Sequence, residues 1–229
     1  MIRNVLLDLD DTLFDFGKCE RMALIETFTE IGIKPSEKIV SEYSEINDMY
    51  WKRLERKEVT RQQVLTGRFQ TLFSKFGIFF SGEEANEIYK NKLGEQSFFI
   101  DGAIDLLNEL QKDYDLYIVS NGTATVQDSR IERAKIAKYF KKIFISERMG
   151  VNKPDSLFFQ KCFEHIRNFK KEETVIIGDS LSSDIKGGEN AGIRAIWYNP
   201  KALENHTGIG VWKEVKELAE MPDILRKTR

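Results

Sequence analysis

Acidic side chains in this 229-residue chain recur just past short apolar runs. Asp8, Asp10 and Asp11 follow Val5–Leu7, in the order Asp8-Leu9-Asp10-Asp11-Thr12-Leu13. Ser120-Asn121-Gly122 follows Leu116–Val119. Asn152-Lys153-Pro154-Asp155 comes a little after Ile143–Ile145, and Gly178-Asp179-Ser180, then Asp184, follows Val175–Ile177. Each piece alone has an ordinary structural explanation. Asp after a strand is common turn chemistry, Ser-Asn-Gly is a routine loop, and Asp179 can cap the helix that follows it. Taken in order, each at the end of a strand-length run, they form one constellation of acids, a hydroxyl and a lysine along one edge. Carboxylates gathered in this way raise one another's pKa or bind a cation.

The elements that must position them follow from the apolar pattern. Val5–Leu7, Leu116–Val119, Ile143–Ile145, Val175–Ile177 and Ala195–Trp197 have strand length and suit strands buried on both faces of a parallel sheet. Ala103, Ile104, Leu106, Leu107 and Leu110 recur at helical spacing, as do Leu157, Phe158, Cys162 and Ile166. Such alternation predicts an α/β fold, a Rossmann-like parallel sheet with helices on both faces. In that architecture chemistry sits beyond the carboxyl ends of the strands. Residues 16–98 read differently. Met22, Leu24, Ile25 and Phe28 have helical spacing with Gly32 as a stop, and further helices are expected near Ser36–Glu55, Thr60–Phe76 and Gly82–Leu93. Ser81 and Glu84 have capping-box spacing. We expect an all-α cap over 16–98 inserted into a catalytic core of 1–15 and 99–229, with hinges near Phe16 and Phe99–Gly102.

Composition narrows the partners. The chain is 41% hydrophobic and 31% charged, and its 35 basic against 37 acidic residues give a net charge of -2. Such balance leaves no electrostatic footprint for a nucleic acid polymer or an anionic membrane. No window approaches the roughly 20 apolar residues of a membrane span. The start, MIRNVLLDLDD, has too short an apolar run for a secretory leader. Cys19 and Cys162 have no metal-ligand spacing and suit a reducing compartment, so a cytoplasmic location is expected. His165 and His206 sit in no triad context.

The four motifs resemble those of a phosphatase of the haloacid dehalogenase superfamily: Asp8-Leu9-Asp10-Asp11-Thr12, Ser120-Asn121-Gly122, Lys153-Pro154, and Gly178-Asp179-Ser180 with Asp184. With the helical insert, the resemblance covers nearly the whole chain. In one departure, Asp11 stands where the family usually has Gly; its backbone N–H is still expected to face phosphate. The resemblance implies that Asp8 is a nucleophile that becomes an aspartyl phosphate. Asp10 then acts as general acid and afterwards as general base. It implies Mg2+, held by the side chains of Asp8 and Asp179 and the backbone carbonyl of Asp10. Asp184 binds it through water or orients Lys153. Ser120, helped by the Asn121 and Gly122 amides, holds a phosphoryl oxygen, and Lys153 offsets charge on the transferring group. Thr12 fixes the turn. A dehalogenase of the superfamily lacks the second acid, so Asp10 favours phosphoester chemistry.

Substrate choice is expected in the insert, because the core motifs meet only phosphate. Asn47-Asp48-Met49-Tyr50-Trp51, then Glu55, then Arg68-Phe69, is similar to a branch of 5'-nucleotidases acting on pyrimidine nucleoside monophosphates, including non-canonical ones. A pyrimidine needs a flat apolar face and a few polar contacts. Phe14, Phe16, Tyr50 and Trp51 are candidates for that face, with Tyr50 and Trp51 foremost; packing between cap and core is the competing role for each. Arg68 is expected to pair with Glu55 as scaffold. The partner is thus a small phosphate ester, a nucleoside monophosphate first. The alternatives are a sugar phosphate or phosphoglycolate phosphatase, a hexose-phosphate mutase, a phospho-accepting regulatory module, and a catalytically silent binding protein. Regulatory receivers lack a second acid two residues on and carry no helical cap.

Overall fold

Six parallel strands in the order β3-β2-β1-β4-β5-β6 form the centre of the computed structural model, which describes residues 1–227. They are β1 (Asn4–Leu7), β2 (Asp115–Ser120), β3 (Phe140–Ile145), β4 (Thr174–Gly178), β5 (Arg194–Tyr198) and β6 (Lys213–Val215). The first five contain the apolar runs read from sequence. The sixth was not expected: it is three residues long at the sheet edge and two of them are exposed, so it carries no apolar signature.

Register explains why motifs far apart in sequence meet. Val5 lies opposite Leu116 on one side and Val175 on the other, and Leu7 lies opposite Ile118 and Ile177. β1 therefore stops first, with β2 running two residues and β4 one residue beyond it. The strand order also reverses between β1 and β4, the kind of switch point where open α/β sheets leave a crevice.

Side chains alternate between faces, as the pleat requires. Val5, Leu7, Leu116, Ile118, Val175 and Ile177 enter one core with α5 (Ala103–Leu110) and α10 (Met221–Arg226). Leu6, Tyr117, Val119 and Ile176 enter the other with α8 (Ser156–Phe163) and α9 (Lys186–Ala191). The short α7 (Ser146–Met149) follows β3, and α6 (Ala124–Arg133) follows β2.

Between β1 and α5 lie four helices, α1 (Phe16–Glu30), α2 (Glu37–Glu55), α3 (Arg61–Phe76) and α4 (Gly82–Gly94). They enclose a core of their own around Leu24, Phe28, Tyr43, Phe69 and Tyr89. The chain enters and leaves this insert side by side: Asp15 N donates to Phe98 O and Ile100 N to Leu13 O, both at 2.9 Å. Asp15, Ser36, Thr60 and Ser81 cap the four helices with their side chains. The reciprocal capping box falls at Thr60–Gln63; at Ser81–Glu84, where it was expected, only the Ser81 side forms. No helix among the described residues is long and apolar enough to cross a membrane.

Candidate active site

Lys153 is the hub. Its Nζ donates to Asp8 Oδ1 and Asp184 Oδ1, both at 2.6 Å, and to Val119 O at 2.8 Å. All three donor positions of the ammonium are filled, and the side chain is only 1% exposed. Burial opposes its charge, but Asp184 and then Asp8 outweigh this and raise its pKa. One cation thus faces more than one acid. Asp8, Asp179 and Asp184 can each offer an oxygen with all three atoms within 4.8 Å of one another. Burial, with Lys153 opposing and Asp184 reinforcing, pushes the Asp8 carboxyl up. Burial and its two acidic neighbours likewise raise Asp179.

Local geometry makes this crowding possible. Asp8 N donates to Ile177 O at 2.9 Å, which carries the β1–β4 pairing one residue past the strand. Asp184 lies in a π-helical turn, Leu181–Ile185, where its Oδ2 accepts from Ser180 N at 3.2 Å. A Cβ at Gly178 would lie 2.3 Å from the Asp184 carboxyl, so only glycine ends β4 here. Trp197 Nε1 donates to Asp179 O at 2.8 Å, and Thr12 Oγ1 to Asp179 Oδ1 at 3.4 Å. Thr12 therefore links the first and fourth motifs as well as filling its turn.

Asp10 lines the same cavity as Asp8 but has different partners. Its Oδ1 accepts from Arg130 Nη1 at 2.5 Å and its Oδ2 from Gln127 Nε2 at 2.7 Å. The same Gln127 nitrogen lies 2.9 Å from Ser120 Oγ, which also accepts from Gly122 N at 3.1 Å. Two acceptances fill the lone pairs of Ser120, so its O–H remains to donate. Gly122 is required here too: a Cβ would lie 2.3 Å from Gln127 Nε2.

Two expectations for backbone amides change. The Asp11 N–H, expected to face phosphate, donates to Phe14 O at 2.7 Å and closes the turn instead. Asp11 adopts φ 57°, where Gly is favoured and Asp is tolerated; its Oδ1 accepts from Phe16 N at 3.0 Å. The Gly122 N–H turns in to Ser120, as above. Asn121 meets the third motif through its side chain: Oδ1 accepts from Lys153 N at 2.9 Å and Nδ2 donates to Lys153 O at 3.0 Å.

In the insert, Trp51 lines the cavity with Asp48 and Glu55 on one face of α2. Tyr50 does not. One residue round the helix, it packs on Gly67, and its OH lies 3.1 Å from Thr71 Oγ1 in the α2–α3 contact. Phe14 is fully buried against Phe99 and Arg130, whereas Phe16 reaches the cavity wall. Arg68 does not pair with Glu55: it donates to Asn47 Oδ1 at 2.7 Å and Asn86 Oδ1 at 2.9 Å, while Glu55 accepts from Ser182 Oγ at 2.8 Å.

Sequence reading missed Gln127, Arg130 and Arg61. The i, i+3 spacing of Gln127 and Arg130 on α6 was a legible sign that they share a face. Arg61 opens α3 and reaches the core loops, with no sign in its neighbours that it would.

The cavity encloses about 250 Å³. Its floor holds a carboxylate beside an ammonium, a second carboxylate, a hydroxyl with its proton to give, and a cluster of acid oxygens suited to a hard cation. Comparison with known proteins agrees with this chemistry. Residues 5–198 match the haloacid dehalogenase-like hydrolase family. The chain is 41% identical to pyrimidine 5'-nucleotidase PynA of Streptococcus pneumoniae, over 97% of this chain and 94% of that one. It is 29% identical to pyrimidine 5'-nucleotidase YjjG of Escherichia coli, over 97% of each. The HAD-hydrolase YfnB of Bacillus subtilis, solved bound to magnesium, superposes with a TM-score of 0.94 at 38% identity, over 98% of each chain. By motif, fold and kinship, the chain belongs to the haloacid dehalogenase-like hydrolases.

Proposed function

We propose that this protein hydrolyses phosphate monoesters by double displacement on Asp8, and that its substrates are pyrimidine nucleoside monophosphates. One observation carries the chemistry: Asp8 and Asp10, two residues apart, share one cavity while separate partners hold them. Asp8 attacks phosphorus, and the bond to the ester oxygen breaks. Asp10 delivers the proton that the departing nucleoside oxygen needs. Asp10 then takes a proton from water, which attacks phosphorus, frees orthophosphate and restores Asp8. Ser120 donates to a phosphoryl oxygen and Lys153 offsets its charge.

The donor set fits magnesium. Three clustered carboxylates, Asp8 and Asp184 buried and Asp179 half-buried, have one ammonium beside them, and hard oxygen ligands in that excess suit a small divalent cation. Asp8, Asp179 and Asp184 would hold it, with the Asp10 carbonyl as a further ligand. When bound, Mg2+ neutralises charge on the phosphoryl group and on the acid cluster.

The substrate reading rests on charge and kinship. Trp51 and Phe16 offer flat faces. The basic groups on the wall have partners already: Lys153 with Asp8 and Asp184, Arg130 with Asp10, Lys90 with Glu87, Arg68 with two asparagines. Three of these four cations are matched to acids and Arg68 lies among neutral partners, which favours an uncharged leaving group such as a nucleoside over one with a second phosphate. Residues 16–98 serve as a cap that excludes water from the phosphoenzyme. Free, buried Cys19 and Cys162 accord with work in the cytoplasm.

A phosphate-release screen tests this. Uridine and thymidine monophosphates should outpace purine nucleotides and sugar phosphates; EDTA should stop release and Mg2+ restore it. Equal release from sugar phosphates would overturn the nucleotide reading. Turnover without metal would overturn the metal's role.

A further inference from the structure

Arg61, the first residue of α3, leaves the insert and grips the core at two loops and at the start of α7. The two N–H groups of its Nη2 are shared among Asn121 O at 3.0 Å, Ser146 Oγ at 2.5 Å and Asn152 Oδ1 at 2.6 Å, and its Nη1 donates to Gly122 O at 3.3 Å. All four acceptors are neutral. The guanidinium also lies 5.4 Å from the ring of Trp51 on the cavity wall. Two further contacts join the same end of the insert to the core: Lys57 Nζ to Asp155 Oδ2 and Ser182 Oγ to Glu55 Oε2, each at 2.8 Å. Only Arg61 among the three touches the loop after β2.

The way it touches that loop matters. A trans peptide is planar, and its C=O and N–H point in opposite directions. The Asn121 carbonyl and the Gly122 N–H belong to one peptide. Arg61 holds the oxygen, and Ser120 Oγ accepts from the nitrogen at 3.1 Å. A charged donor on a carbonyl polarises the peptide and strengthens the N–H behind it. The chain of contact runs from insert to guanidinium, to peptide, to the serine hydroxyl.

We infer that Arg61 is a positioning residue: with the insert seated, it locks the 121–122 peptide so that Ser120 presents its O–H to the phosphoryl group. The inference rests on the phosphatase reading in giving Ser120 that contact. It makes the phosphate site complete only when the insert is in place. Arg61 itself need not meet substrate.

The experiment is a double-mutant cycle with a control. Arg61→Met should lower kcat/KM for uridine monophosphate about 10- to 100-fold. Lys57→Met, which removes a neighbouring contact of the insert without touching the loop, should stay within about twofold. In a Ser120→Ala background, Arg61→Met should cost no more than about twofold, because the residue it positions is gone. Arg61→Lys should recover part of the loss. Equal losses for Arg61→Met and Lys57→Met would overturn the inference and make Arg61 a simple latch. A full loss in the Ser120→Ala background would overturn it as well. Should wild-type protein release phosphate from no ester, the phosphatase reading fails separately. The same cycle is then read as affinity for inorganic phosphate in the presence of Mg2+. A loss confined to the Ser120 background supports the inference, and an equal loss in both backgrounds overturns it.

Discussion

Two buried polar networks in this chain handle charge in opposite ways. In the insert, Glu20 accepts from Asn47 Nδ2 at 2.8 Å and Ser44 Oγ at 2.5 Å, and Asn47 passes its carbonyl oxygen to Arg68. One acid and one base are joined through an amide, with the guanidinium 5.0 Å from the Tyr89 ring and 5.8 Å from that of Tyr43. In the core, Lys153 faces Asp8 and Asp184 with Asp179 in reach. The first network is balanced, and with Asn86 its members hold four helices together. The second carries excess negative charge on the wall of a cavity. Burial of charge is costly in both, and only a pairing that leaves a surplus marks a place for chemistry.

Asp8→Asn tests the core side most sharply. It should cut kcat by about 10³-fold or more, while thermal melting shows the fold intact. Comparable rates for mutant and wild type would refute the nucleophile assignment. Arg68→Met tests the insert side. It strands the Asn47 and Asn86 oxygens and leaves Glu20 without its cation, so urea unfolding should show a loss of about 2–4 kcal/mol. A loss below about 0.5 kcal/mol would mean that the network does not hold the helices.

Smaller effects sharpen the contrast. Gly122→Ala must displace Gln127 from both Asp10 and Ser120, and kcat/KM should fall about tenfold with little change in stability. Glu20 offers a pH test within the insert. Burial pushes its carboxyl up to about 7, opposed by the Ser44 hydrogen bond and by Arg68. The folded state therefore holds the proton more tightly than the unfolded chain. That contribution is whole below the unfolded value of about 4.3 and is lost as pH rises through about 7. Glu20→Gln keeps an oxygen for Asn47 and gives an amide to Ser44. It should match wild type near pH 4 and exceed it by roughly 3 kcal/mol at pH 8 in urea titrations. A constant difference across that range would remove Glu20 as the source.

What sequence alone revealed, and what it did not, divides along the same line. Strands with Val and Ile on both faces announce themselves, and so do motif residues that follow them, because both are local patterns. The edge strand Lys213–Val215 has neither buried face nor apolar run. Partners across the fold are harder. Gln127 and Asp10 are 117 residues apart, and Arg61 and Asn152 are 91 apart, so no local rule pairs them. Arg68 was expected on Glu55, but α2 carries Asn47 at the right height and depth and puts Glu55 against Ser182. Tyr50 and Trp51 differ by about 100° round a helix, enough to send one into packing and the other to the cavity. The Asp11 and Gly122 amides were legible as loop N–H groups, but the turns that consume them were not.

The central claim is that Asp8 itself carries the phosphoryl group. Rapid acid quench during turnover of a nucleoside monophosphate, followed by mass analysis of the peptide bearing residue 8, measures it directly. The account predicts a phosphorylated Asp8 peptide that rises and decays within the turnover time and is missing from Asp8→Asn. Steady release of phosphate with that peptide unmodified at every quench time would contradict it.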